Sequence, residues 1–137
     1  MLQRPWERCC SVRRWTPKMT LQLVISREER AAKIAELNDA MRANFTGSWL
    51  MTPGVRELIG EDLLKRSALM RAIHEFKDFE EGDNPYGERD FGALVFDGQR
   101  VFWKIDYYDK AREFGSPDPA DKAVTHRVMT IMLASEY

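Results

Sequence analysis

Cysteine is almost missing from this chain. Of its 137 residues only Cys9 and Cys10 are cysteine, and they are adjacent. Neighbouring cysteines meet disulfide geometry poorly and make no C-x-x-C pair, so a disulfide scaffold is excluded. A reducing cytoplasm is the expected compartment. Histidine is as scarce, with His74 and His126 alone. No G-x-S-x-G and no glycine-rich phosphate loop is present, which leaves nucleophilic catalysis and P-loop chemistry without support. His74 has no second ligand at the i+4 spacing of helical zinc sites and reads as a surface or packing residue. No apolar run approaches the roughly 20 residues that span a bilayer, and the N-terminus lacks the apolar stretch of a signal peptide.

What remains is an ordinary globular composition, 44% hydrophobic and 31% charged, in 16.0 kDa. That suffices for one domain with a modest core. The formal charge of -1 conceals an asymmetry. Residues 1–18 hold Arg4, Arg8, Arg13, Arg14 and Lys18 against Glu7 alone, so the body from residue 19 onward is acidic. An acidic body argues against nucleic acid as a partner, since such proteins present a basic patch or stripe. Residues 1–18 show no hydrophobic period and end at Pro17-Lys18; they read as a disordered basic leader, dispensable to a single α+β domain over 19–137.

The densest structural signal is Asp90–Asp109. Two aromatic and β-branched runs flank Asp97-Gly98, a pair suited to a type I′ turn, and predict a β-hairpin. With that turn Phe96 faces Gln99, Leu94 faces Val101, Gly92 faces Trp103 and Asp90 faces Ile105. Alternation then assigns Leu94, Phe96, Val101, Trp103, Ile105 and Tyr107 to a core face. The other face mixes Phe91, Ala93, Val95, Phe102 and Tyr108 with Arg89, Arg100, Lys104 and Asp106.

Ser26 and Glu29 form a capping-box pattern that opens a helix over about 26–45, with Ala31, Ile34, Leu37, Met41 and Phe45 as its buried stripe. Ser48–Thr52 reads as a short strand. Thr52-Pro53 resembles an N-cap with proline at the first helical position, so a helical turn through Leu58 is expected. A second helix follows over about 61–77, with Leu64, Ala68, Leu69, Ile73 and Phe76 facing the core. An acidic connector and the turn Asn84–Gly87 lead into the hairpin. The C-terminal segment reads two ways: Val124, Thr125, Val128, Thr130 and Ile131 favour a strand, whereas Met129, Met132, Leu133 and Ala134 suit a helix; a strand pairing with the hairpin is chosen because two strands alone are marginal. The expected fold class is α+β: two helices packed on a small antiparallel sheet built around the hairpin.

The segments NPYGERDFG (Asn84–Gly92), FWKIDYYD (Phe102–Asp109), EFGSPDPAD (Glu113–Asp121) and RVMTIMLASEY (Arg127–Tyr137) together resemble a bacterial family, domain of unknown function 3768. The resemblance runs from about Ile25 to Tyr137. It implies an accessory protein of bacterial chromosomes and plasmids, with no established activity or cofactor. In the family pattern the position of Arg89 is commonly histidine, so the departure here implies that a histidine is not essential.

The candidate polar site lies at the open end of the hairpin: Glu88, Arg89, Asp90, Lys104, Asp106, Tyr108 and Asp109, beside Tyr107. The register places Arg89 opposite Asp106, within reach of an ion pair. Asp90, Asp106 and Asp109 would suit Mg²⁺ if they converged. Alternation separates Asp90 from Asp106, however, and a salt-bridged sheet end explains the same residues without a metal. The favoured reading is a non-enzymatic protein-binding or regulatory module, open to homo-oligomerisation, needing no cofactor and no membrane. A small metal-dependent hydrolase or nuclease is the alternative from another class. An acidic DNA-mimic or antirestriction role is a third, resting on the acidic body and the family's setting.

Overall fold

Proline, glycine and short polar side chains punctuate the chain into its elements. The computed structural model describes residues 26–79, 84 and 86–137. Helix α1 (Arg27–Asn44) opens where Ser26 Oγ accepts from Glu29 N at 3.0 Å, half of the expected capping box. It stops at Phe45, whose φ of 53° leaves the helical region. Strand β1 (Ser48–Met51) follows, then helix α2 (Pro53–Ile59), with proline in its first turn. Helix α3 (Leu63–His74) is capped by Asp62, whose side chain accepts from Leu64 N at 2.9 Å and Lys65 N at 3.2 Å. Strands β2 (Phe91–Phe96) and β3 (Gln99–Tyr108) make the hairpin, β4 (His126–Leu133) joins it, and a 3₁₀ turn (Ala134–Glu136) ends the chain.

The hairpin register is the expected one, with Phe96 opposite Gln99, Leu94 opposite Val101 and Gly92 opposite Trp103. Asp97 and Gly98 both take positive φ, 53° and 77°, as a type I′ turn requires. Strand β4 runs antiparallel to β3, pairing Trp103 with Ile131 and Tyr107 with Arg127. The sheet is larger than the hairpin and tail alone. β1 pairs parallel with β4, Trp49 beside Met129, giving a four-stranded mixed sheet in the order β1-β4-β3-β2. The fold class is α+β, with a third helix, α2, in place of the single turn expected after Pro53.

One sheet face is core. Val101, Trp103, Ile105, Met129 and Ile131 are buried there with Met41 of α1, Val55 and Ile59 of α2, and Leu69 and Ile73 of α3. The Trp103 indole lies so close to Gly92 that a Cβ built there would collide with its Nε1. Only glycine allows that approach.

Two helical stripes depart from expectation. In α1 the buried set is Ile34, Ala35, Asn38, Met41 and Arg42, while Phe45 lies at the surface against Trp49 and His74. In α3 only Leu69 and Ile73 are buried, and Leu64 is 83% exposed. The first turn of α3 therefore overhangs the sheet, and its apolar residues meet water.

Contacts divide the chain into units of residues 1–30 and 31–137. The core and the sheet belong to the second. The leader expected over 1–18, and the short apolar segment before Ser26, lie outside the described residues. No helix of the described residues is long and apolar enough to cross a membrane.

Candidate functional site

Asn38 and Asp39 of α1 face the open end of the hairpin, and each organises part of it. Asn38 is fully buried. Its Nδ2 donates to the Glu88 carbonyl and to Tyr107 Oη, both at 2.9 Å, and its Oδ1 accepts from Arg127 Nε at 2.7 Å. Tyr107 Oη in turn donates to Glu88 Oε1 at 3.0 Å. Arg127 Nη2 donates to the Pro119 carbonyl at 2.6 Å, and its guanidinium lies 5.0 Å over the Tyr107 ring. One buried amide thus ties α1 to β3, to β4, and to the segment entering β2. Burial pushes the Tyr107 hydroxyl far above its ordinary value. Burial lowers Arg127, opposed by Tyr107 and Glu88. Tyr107 is therefore a neutral donor here, and no base for catalysis at neutral pH.

Asp39 holds a second knot. Arg89 Nε and Nη2 reach its carboxylate at 3.0 and 2.6 Å, and Arg42 Nη2 reaches Oδ1 at 3.0 Å. Arg42 is buried, stacks 5.1 Å over the Trp103 ring, and donates from Nη1 to the Ile73 and Phe76 carbonyls at 2.8 and 3.0 Å. It therefore satisfies the C-terminal end of α3.

The expected Arg89–Asp106 pair is corrected by this geometry. Arg89 takes a φ of 53°, which turns the chain out of the strand and aims its side chain at α1. The hydrogen bond to Asp39 raises Arg89 above its ordinary value. Asp106 pairs instead with Lys104, two residues along the same strand face, at 3.2 Å. Coupling should follow these partners. In a double-mutant cycle Arg89→Ala and Asp39→Ala should couple by about 1 kcal/mol, a bidentate but half-exposed pair, and Arg89→Ala with Asp106→Asn by nearly nothing. Urea denaturation of the four variants reads both values.

The remaining candidates are separated by role. Asp109 organises the loop after β3, its Oδ1 accepting from Glu113 N at 3.0 Å. Tyr108 is exposed and stands beside His126, whose Nε2 lies 2.8 Å from Ser48 Oγ. His74 lies against the Phe45 ring, its Nδ1 3.0 Å from the Arg42 carbonyl. Asp90 is half-buried just before β2, and its carbonyl accepts from Ile105 N at 2.8 Å. Among the described residues no three histidine, cysteine or carboxylate side chains gather as a metal would need.

Asp90 carries a pH signature. Desolvation first, then Glu88 and Asp106, raise its carboxyl above the usual range. The folded state thus binds its proton more tightly than the unfolded chain does. Its contribution is most favourable at low pH and is lost as pH rises through the raised value. At neutral pH the charge is a net cost. Asp90→Asn should therefore raise Tm at pH 7, and the gain should shrink as the pH falls through the raised value and vanish below the ordinary carboxylate range. A Tm series against pH checks both halves.

Sequence reasoning missed Asn38, Asp39 and Arg42, which form the centre of both knots. The signal was present: Asn38 and Arg42 follow Ile34 at i+4 and i+8, inside the buried stripe. It also missed Glu136, whose carboxylate accepts from Thr52 Oγ1, Gly54 N and Leu133 N. The hydrogen bond from Thr52 is the largest cause of its lowered value. Thr52, expected to cap α2, donates to this acid, which serves the helix N-terminus in its place.

The second face of the sheet is the largest feature left without a helix. Its rows run Phe91, Lys104, Thr130, Leu50 and then Ala93, Phe102, Met132 across the strands. The C-terminal end packs on it, the Tyr137 ring lying 5.9 Å from Phe91 and 5.6 Å from Phe102, and Met132 beside Phe102 is buried. Leu50 is 54% and Val95 74% exposed. A separate open groove of about 600 Å³ lies between Phe45 and α3, lined by Arg66, Met70, Arg71 and His74.

The sequence model of a family described as "Protein of unknown function (DUF3768)" matches residues 51–136. The match takes in the hairpin, β4, α2 and α3, and leaves α1 outside. No curated protein and no solved structure matches the chain.

Proposed function

We propose, for a chain that belongs to the DUF3768 family, that it is a non-enzymatic protein-binding module whose uncovered sheet face docks a partner. The observation that carries this reading is that face. Leu50, Val95 and Tyr108 stand exposed on it around half-buried Phe91 and Phe102. An aromatic centre with a mixed rim is the make-up of a contact patch. Two charges on the face are satisfied within it, Lys104 and Asp106 pairing at 3.2 Å, which leaves its aromatic centre as the feature a partner would meet. At the hairpin's open end the polar groups are occupied internally: Glu88 by Tyr107, Arg89 by Asp39, and Asp109 by its own loop. Such groups serve the scaffold, and this supports binding over hydrolysis. The reading extends to a regulatory role of the cytoplasm.

The test uses two exposed positions of the face far from the hairpin turn, Leu50→Lys and Tyr108→Lys. Both should leave Tm within about 2 °C, since exposed substitutions rarely exceed 0.5 kcal/mol. Cross-linking in cells should yield a partner whose links map to the face in the wild type and vanish in the double variant. Links that persist in the variant would defeat the reading. So would calorimetric binding of Mg²⁺ or Mn²⁺ abolished by Asp106→Asn, which would favour the hydrolase.

A further inference from the structure

Strand β2 is an edge strand, and its sequence FGALVF contains no charge and no proline. Natural edges are commonly protected by lysine, proline, a bulge or a cover. Along β2 none of the first three is present. The hairpin register tells which backbone groups are open. In a two-residue hairpin Phe96 and Gln99 exchange hydrogen bonds, so Leu94, Gly92 and Asp90 also point inward, the last seen as Ile105 N donating to Asp90 O at 2.8 Å. Phe91, Ala93 and Val95 therefore aim their N–H and C=O groups outward, three donors and three acceptors without a backbone partner among the described residues.

We infer that this edge pairs antiparallel with β2 of a second copy, about a two-fold axis at Ala93, joining two four-stranded sheets into one of eight strands. The register is self-complementary. Ala93 meets Ala93 of the partner subunit, and Phe91 meets Val95 of the partner subunit twice. All three are pairs of the hydrogen-bonded kind, so six backbone bonds form. Side-chain size also fits, a small central pair lying between two aromatic–β-branched pairs, a favourable cross-strand combination.

Charge selects the direction. Glu88 and Asp90 precede the strand, the Arg89 between them being neutralised by Asp39, whereas Arg100 stands at its turn, where Lys65 and Asp97 neutralise each other at 2.9 Å. Antiparallel pairing carries the acidic end of one copy to the basic end of the other. Parallel pairing would set like against like. The paired edge also places the two uncovered faces side by side, doubling the docking surface without using its centre. This inference does not depend on the binding-module reading.

The test is sedimentation of the full chain over a concentration series, combined with hydrogen exchange resolved at single amides. The expected result is a species of twice 16.0 kDa. The amides of Phe91, Ala93 and Val95 should be protected in it and exchange freely on dilution. Ala93→Pro removes an outward N–H, a position where an edge tolerates proline, and should weaken the dimer at least tenfold. Should that variant misfold, the dilution-dependent protection of the three wild-type amides decides alone. A monomer at all concentrations overturns the inference, whether those amides exchange freely, are protected by the chain itself, or become protected only when another protein is added. A dimer in which they exchange freely, or one indifferent to a folded Ala93→Pro, also overturns it. In that case the copies meet through another surface.

Discussion

Trp103→Ala should destabilise the fold by about 3–5 kcal/mol, the range for deleting a large aromatic from a closed core. The indole is fully buried. Phe76 and Phe79 meet it edge-on, at 5.5 and 6.0 Å between centroids, Arg42 lies over it, and the bare backbone of Gly92 closes the hairpin side. Truncation removes the surface against which all four are arranged. It also leaves the Arg42 guanidinium beside a cavity, still held by the α3 carbonyls and unable to follow the collapse. Equilibrium denaturation in urea measures the loss. A value near 1 kcal/mol would mean that the two faces of the hairpin are exchanged.

Asn38→Ala should cost about 3 kcal/mol or more, far above the usual effect of a polar residue on a helix. Its amide serves the Glu88 carbonyl, Tyr107 and Arg127 at once. Removing it strips Nε of the buried Arg127 of its acceptor and the Glu88 carbonyl of its donor, and each buried group left unpaired costs about 1–3 kcal/mol. Asn38→Asp should not rescue, because a carboxylate could still receive Arg127 but could not donate to Tyr107 or the carbonyl. The signature of a network is non-additivity. Arg127→Met in the Asn38→Ala background should cost much less than in the wild type, since the charge whose partner was lost is then gone. Purely additive values would show that the two residues contribute independently.

These two residues mark the limits of what one dimension conveys. Trp103 was legible because its information is local. A type I′ turn pair, strict alternation and a glycine opposite a large ring determine register and facing without reference to any distant segment. The same holds for the start of α1 at Ser26 and for the strand character of residues 126–133, where β-branched side chains and a hairpin in need of a third strand agree. The α+β class and the family likeness followed from such signals.

Asn38 and Arg42 lie at the spacing of the Ile34 stripe, but nothing local says which groups they meet there, and Asp39 carries no signal of its partner. Only the return of residues 73–79, 88–89 and 127 to that helix makes the burial of Asn38 and Arg42 favourable, by supplying acceptors and donors for most of their polar atoms. Arg89 shows the same limit. Alternation alone placed it across from Asp106, but a single left-handed backbone residue redirects it to a carboxylate 50 positions earlier. The parallel pairing of β1 with β4 and the capping of α2 by Glu136 likewise join segments about 80 residues apart. Local propensity and periodicity therefore determined the elements, the hairpin register and its core face. Which polar groups meet, which sheet edge stays open and which face stays uncovered depend on distant segments meeting in space, and only the tertiary structure decided those.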